Sequence, residues 1–217
     1  MTDSVDLKNC VLERIGGAAP RTVWTPADFL DLGTRDAIDK VLQRLVAADT
    51  LRRIDRGLYD KPDFNSLTKA PNPPDPRQVV EAIARRDQIR VLVDGMTAAN
   101  DLGLTNAVPA KIIVHTDSRL KPVRLGNLDI SFRPTAASKL FWAGRPAMRI
   151  VQALHWLRDT TADPEEGQAI RRKLRQMLSR EPEGKCLRED LRDGMSALPA
   201  WMQDYLRALL AAESEAA

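Results

Sequence analysis

Between Thr22 and Tyr59 the chain passes through a helix start, a glycine-marked stop, a second helix and a basic two-stranded ribbon, and this order restricts its first third more than any other feature. Thr25 suits an N-cap, Pro26 the first helical position, where a missing N–H costs nothing, and Asp28 the place of a capping carboxylate. Gly33 is expected to stop that helix. Thr34 then opens a longer one, with Ile38, Val41, Leu42, Leu45 and Val46 at helical spacing on one face. Arg35, Asp36, Asp39, Lys40, Gln43 and Arg44 occupy the other face. Leu51 to Ile54 and Leu58 to Asp60 flank Arg56-Gly57 and read as two short strands around a turn. Leu7, Val11, Leu12 and Ile15 give a preceding amphipathic helix that ends at Gly16-Gly17, and Val23-Trp24 suits a short strand beside the ribbon.

That order predicts a winged helix-turn-helix, a module that sets its second helix in the major groove and its ribbon against phosphates. The expected DNA contacts are Thr25, Thr34, Arg35, Lys40 and Arg44 from the helical pair, and Arg52, Arg53, Arg56 and Lys61 from the ribbon. Base edges would be read by Arg35 and Lys40, while the ribbon would supply salt-dependent affinity. The same element order also serves as a dimerisation or protein-docking module. Charge does not decide between them, because residues 1–62 hold ten Lys and Arg against ten Asp and Glu, with Asp28, Asp31, Asp36 and Asp39 close to the reading helix.

The chain of 217 residues is long enough for two modest domains. Four prolines at 71, 73, 74 and 76 make the segment 63–76 a semi-rigid spacer. Beyond it, a helix from Arg77, a strand at Ile89 to Val93, a short helix from Met96 to Leu102 and a strand from Lys111 to Thr116 are expected. A hairpin follows across Lys121 to Arg133 around Gly126-Asn127. Helices then begin near Arg145 and at Asp163-Pro164-Glu165-Glu166, the latter closed by Glu183-Gly184, followed by a shorter helix around Leu187 to Leu191. A last helix buries Met202, Tyr205, Leu206 and Leu209, and residues 214–217 are expected to fray. The fold class is therefore α+β: an N-terminal winged helix-turn-helix (1–62), the linker (63–76), a mixed α/β domain (77–159) and a helical C-terminal extension (160–217).

Residues 75–159 carry thirteen Lys and Arg against eight Asp and Glu. Arg119, Lys121, Arg124, Arg133, Lys139, Arg145 and Arg149 are candidates for a second phosphate-facing patch, although an ordinary solvated face is the favoured account of them. No catalytic set emerges. Asp94 and Asp117 each follow a strand, yet no acidic-plus-Lys signature of a metal nuclease accompanies them, and turn capping explains both. His115 and His155 lack a nucleophile elbow and read as packing or surface residues. No cofactor or metal site is read, Cys10 and Cys186 suit reduced thiols, and the absence of a signal peptide or long apolar run points to a cytoplasmic chain with no membrane partner.

The run Val23-Trp24-Thr25-Pro26-Ala27-Asp28-Phe29-Leu30-Asp31-Leu32-Gly33, with Leu51-Arg52-Arg53-Ile54, Arg56-Gly57-Leu58-Tyr59, Pro109-Ala110-Lys111-Ile112-Ile113 and Gly126-Asn127, resembles the AbiEi-like antitoxins of type IV toxin-antitoxin systems. The resemblance covers Leu7 to Leu157 and excludes the tail after Thr160. It implies a bacterial antitoxin and transcriptional autorepressor that binds inverted repeats in promoter DNA of its own operon, functionally linked to a nucleotidyltransferase-like toxin without a stable complex. It places the recognition elements at Thr34, Arg35 and Lys40 on the helix and at Arg52, Arg53 and Arg56 on the wing. Two alternatives stay open: a stand-alone winged-helix regulator, or a protein-interaction module that neutralises no toxin.

Overall fold

The computed structural model describes residues 2–67 and 69–214, so the fraying expected at residues 215–217 lies outside the described residues. The chain is of mixed α+β class, with eight α-helices and two small sheets among the described residues. It divides into two compact units, Met1–Ile89 with Val123–Ile130, and Arg90–Pro122 with Ser131–Ala217.

The first unit opens with α1 (Thr2–Gly16), β1 (Val23–Trp24) and a 3₁₀ turn at Pro26–Phe29, followed by α2 (Arg35–Ala47), β2 (Arg52–Asp55) and β3 (Leu58–Asp60). The strands form an antiparallel sheet in the order β1-β3-β2, with Trp24 opposite Tyr59 and Arg53 opposite Tyr59 on the other side. Beneath it Val11, Ile15, Phe29, Ile38, Leu42, Leu45, Leu51 and Tyr59 share one apolar core. The segment expected to be an α-helix after Pro26 is only one 3₁₀ turn. Its Leu30 is left exposed while Leu32 packs against the core from outside the turn, and a Cβ at Gly33 would stand 3.3 Å from the Leu7 side chain.

The proline-rich segment is folded back on itself rather than extended. Asn72 N–H donates to the Asp63 carbonyl at 2.7 Å, Phe64 bridges Pro71, and the Pro73 and Asn72 carbonyls accept from Arg21 and Arg52. Asp75 then caps α3 (Pro76–Asp87), which is grouped with the first unit and buries Val79, Val80, Ala82 and Ile83.

In the second unit β4 (Val91–Val93) pairs antiparallel with β5 (Lys111–Thr116), with Leu92 opposite His115. Asp94 caps α4 (Gly95–Asp101), accepting from Thr97 N–H at 3.0 Å and from the Thr97 hydroxyl at 2.7 Å. The hairpin β6 (Val123–Leu125) and β7 (Leu128–Pro134) turns at Gly126 (φ +63°), and β7 carries the chain from the first unit's residues into the second's. Four helices complete the second unit: α5 (Met148–Trp156), α6 (Glu166–Leu178), α7 (Glu183–Asp193) and α8 (Ala200–Ser214). Glu183-Gly184 opens α7 instead of closing α6. Ser179 is the C-cap of α6, and Gly184 is buried so close to the Leu178 carbonyl that a side chain would have no room.

Candidate nucleic-acid interface

Two elements of the first unit carry the surface of interest, the outer row of α2 and the hairpin β2–β3. Thr34 caps α2, its exposed hydroxyl accepting from Ala37 N–H at 3.4 Å. Burial of Ile38, Val41, Leu42 and Leu45 fixes the rotation of the helix, so Arg35, Asp36, Lys40, Gln43 and Arg44 are left exposed. Arg35 Nε lies 2.9 Å from Asp39 Oδ2, one turn along the same helix. Thr25 does not join them. It is 0% exposed, and both its N–H (2.7 Å) and its hydroxyl (3.0 Å) donate to Asp28 Oδ2, so it closes the 3₁₀ cap and has no surface to offer a phosphate.

The hairpin turns at Arg56-Gly57, where Gly57 takes φ +69°, a conformation that L side chains rarely adopt. Arg53, Arg56 and Lys61 are exposed around it. Arg52 is held within the fold. Its Nε and an NH2 group meet both oxygens of Asp60 at 3.0 and 2.5 Å, and NH1 donates to the Asn72 carbonyl at 2.9 Å. Asp60 is 3% exposed, so Arg52 serves as its counter-ion rather than as a hand for DNA.

Of the carboxylates that make this segment formally neutral, Asp28, Asp31, Asp39 and Asp60 are held in ion pairs, while Asp36 is exposed beside Arg35 in the first turn of α2. Asp31 meets Arg14 through two bonds of 2.6 Å, and those bonds hold its carboxyl below the usual range. Asp28 receives Arg85 at 3.4 Å, and Asp39 receives Arg35. Lys40, Arg53, Arg56 and Lys61 have no carboxylate partner among the described residues. The resulting arrangement presents exposed cations on a helix and on a hairpin, able to receive phosphate oxygens.

Within the second set of cations, two members are held in ion pairs inside the second unit and the others are exposed. Arg119, Lys121, Arg133 and Lys139 are exposed in the second unit, and Arg124, exposed in the first, lies 3.8 Å from Asp129. Arg145 is taken by Asp190 (2.8 Å) and Asp193 (2.6 Å) and lies over the rings of Phe141 and Trp142. Arg149 is taken by Asp101, which is 8% exposed. Both therefore brace the helices of the second unit. A different cationic row, on α6, escaped the reading by segment totals because residues 160–217 sum to a negative charge. Its only signal was the absence of acids between Gly167 and Arg180.

The candidate acids for a nuclease have structural partners. Asp94 caps α4 and accepts from Ile113 N–H at 3.0 Å, while Asp117 binds Arg90, whose side-chain hydrogen bond holds the carboxyl below its usual range. His115 Nδ1 stands 3.0 Å from the Thr135 hydroxyl, and His155 meets the Trp201 ring edge-on. Among the described residues no helix is long and apolar enough to cross a membrane.

The chain belongs to a family of unknown function, DUF6088, whose sequence model matches residues 11–181. No curated protein matches it. The matched span takes in the α2 and hairpin surface of the first unit and reaches beyond α6 in the second.

Proposed function

We propose that the first unit is a winged helix-turn-helix that binds double-stranded promoter DNA, and that the protein is a cytoplasmic transcriptional autorepressor acting as the antitoxin of a type IV toxin-antitoxin system. One observation carries the DNA-binding reading. With strands in the order β1-β3-β2, α2 exposes Arg35 and Lys40 along its N-terminal half while the hairpin exposes Arg53 and Arg56. A helix able to enter a major groove and a ribbon able to reach adjacent phosphates are the two parts such a module needs. Of the acids nearby, Asp28 and Asp31 are paired with Arg85 and Arg14, so they do not draw on Lys40, Arg53 or Arg56; Asp39 pairs with Arg35 itself, which must exchange that partner for a base, and Asp36 is exposed. The antitoxin role rests on the resemblance of residues 7–157 to the AbiEi-like family, and repression would be steric, by occupation of inverted repeats.

Equilibrium binding to the duplex upstream of the gene, compared with a scrambled duplex across a salt series, tests the proposal. Arg35→Ala should erode the preference for the promoter by about 10- to 100-fold, the worth of one good base contact. Arg56→Ala should weaken both duplexes alike and lower the salt slope by about 0.9. Equal binding of both duplexes by the unmodified protein would overturn the assignment. A protein-docking module is the second reading, favoured by Phe64 (67% exposed) and Leu67 (91% exposed) on the loop after β3. It predicts no measurable duplex affinity at any salt concentration.

A further inference from the structure

Past its opening Glu166, helix α6 carries a row of cations that continues to Arg180 just beyond its C-cap. Between Gly167 and Arg180 the chain holds Arg171, Arg172, Lys173, Arg175 and Arg180 and no Asp or Glu. All five are exposed, and none has a carboxylate partner among the described residues. Elsewhere in the second unit Arg145 is held by Asp190 and Asp193, Arg149 by Asp101 and Arg188 by Glu181, while Arg119, Lys121, Arg133 and Lys139 are exposed but are not gathered on one helix. Arg171 and Arg175 stand one turn apart, a spacing at which like charges destabilise a helix unless an anion lies between them. The row is also braced at its sides. Arg171 lies 5.0 Å from the centroid of the Tyr205 ring, and Lys173 donates to the Gly103 carbonyl. Neither Arg172 nor Arg175 is tied down in either of these ways among the described residues.

The chemistry of the helix narrows the partner. Ile170, Leu174 and Leu178 are buried beneath it, so no apolar face is left to enter a lipid surface. Single-stranded nucleic acid calls for aromatic platforms, and residues 167–180 contain no aromatic residue. Arginine guanidinium groups on a rigid helix, with Gln168, Gln176 and Ser179 as additional donors, suit the phosphates of a duplex. We infer that the outer face of α6 is a sequence-independent binding surface for the sugar-phosphate backbone of double-stranded DNA. The inference stands without the winged-helix reading, since it concerns any duplex.

The test uses the full chain and a scrambled duplex. Arg172→Gln with Arg175→Gln leaves Arg171 on Tyr205, and should lower the slope of log affinity against log salt by about 1.8, because each of the two arginines neutralises one phosphate. Arg172→Lys with Arg175→Lys keeps the charge and should keep the slope. An unchanged slope in the glutamine variant, or an equal fall in the lysine variant, would overturn the inference. If the glutamine variant fails to fold, protection of the α6 arginines of the unmodified protein from an arginine-selective dicarbonyl decides: protection by added duplex supports the surface, and full reactivity refutes it. The same slope difference should appear in an Arg56→Ala background. Failure of the winged-helix reading would show separately, as equal affinity for promoter and scrambled duplexes.

Discussion

Arg86 in α3 donates a 2.6 Å hydrogen bond to the backbone carbonyl of Arg56, thirty positions earlier, at the tip of the β2–β3 hairpin. The guanidinium is itself oriented by two bonds to Asp87, and its Cδ stands 3.5 Å from the point where a Cβ on Gly57 would be. The helix after the proline-rich segment therefore steadies the turn from which Arg56 projects. Removing a charged donor to a backbone acceptor costs about 1–2 kcal/mol in such partly exposed sites. Arg86→Ala should lower the urea midpoint accordingly and speed hydrogen exchange at Gly57 and Leu58. Exchange rates identical to the unmodified protein would show that the hairpin tip holds itself.

Asp60 gives a sharper case, since its carboxylate is buried in β3 and is gripped by the Arg52 fork. Taking away one member of a buried pair leaves the other uncompensated. Asp60→Asn should destabilise the fold by about 2 kcal/mol, below the fully buried limit because Arg52 keeps partial access to water. Arg52→Ala should do likewise, with loss of duplex binding that follows loss of folded protein. Urea denaturation followed by binding at matched folded concentration separates the two effects. A direct role of Arg52 in DNA contact would survive that correction.

How much could be read from the residues depends on whether a signal is local. The caps at Thr34 and Asp94, the turns at Gly57 and Gly126 and the apolar row of α2 all follow from short-range rules, and these elements lie where their residues place them, whereas α3 starts at Pro76 on an Asp75 cap that the expected start at Arg77 does not include. Partner choice is not local. Arg52 and Arg53 are adjacent and alike in composition, yet strand alternation sends one toward Asp60 and the other outward. Gly184 reads as a helix stop, but what selects glycine there is the approach of the Leu178 backbone, six positions earlier, which depends on how the chain turns from α6 into α7. The proline-rich segment likewise misled, because its stiffness was legible while the arginines that tie it back, Arg21 and Arg52, come from far upstream. Segment charge totals concealed α6 because acids scattered through the rest of residues 160–217, at 163–166, at 181, in α7 and near the C-terminal end, outweigh its cations.

The Arg14–Asp31 pair should impose an acid limit on the first unit. The hydrogen bonds from Arg14 depress the Asp31 carboxyl in the folded state. A depressed folded value means that the stabilisation is fully present above the unfolded carboxylate value of about 4, and is lost as pH falls through the folded value. The melting temperatures of the unmodified protein and of Asp31→Asn should therefore differ near neutrality and converge in strong acid. A gap that stays constant as the medium is acidified would mean that the pair contributes through packing instead of charge.

Gly95 tests the seam between α4 and α5 in the second unit. A Cβ added there would stand 2.6 Å from both the Gln152 carbonyl and the Trp156 Cβ, and one of these contacts is backbone that cannot swing aside. Overpacking of this kind costs about 1–3 kcal/mol. Gly95→Ala should shift the urea midpoint down by a corresponding amount even though alanine is the better helix former. Gly103 sits just beyond the same helix with open space around it, but at φ +64°, so Gly103→Ala should destabilise by a smaller amount through backbone strain alone. Equal losses at both sites would remove the argument for close packing at Gly95.

Repression and neutralisation should separate in one pair of variants. If Arg35 and Arg56 act on DNA, the double variant Arg35→Ala with Arg56→Ala should lose most repression of a promoter fusion. Neither side chain supports the core: Arg35 is exposed and meets only Asp39, and the Arg56 side chain is exposed with only its backbone carbonyl bonded. The variant should thus fold normally. If the protein is the antitoxin we propose, the variant expressed from an independent promoter beside the neighbouring gene should still restore growth, because neutralisation of that kind would not require the operator. Loss of both activities with the fold intact would tie toxin control to DNA binding and contradict that division. Repression that persists in the double variant would move the DNA contact away from α2 and the hairpin altogether.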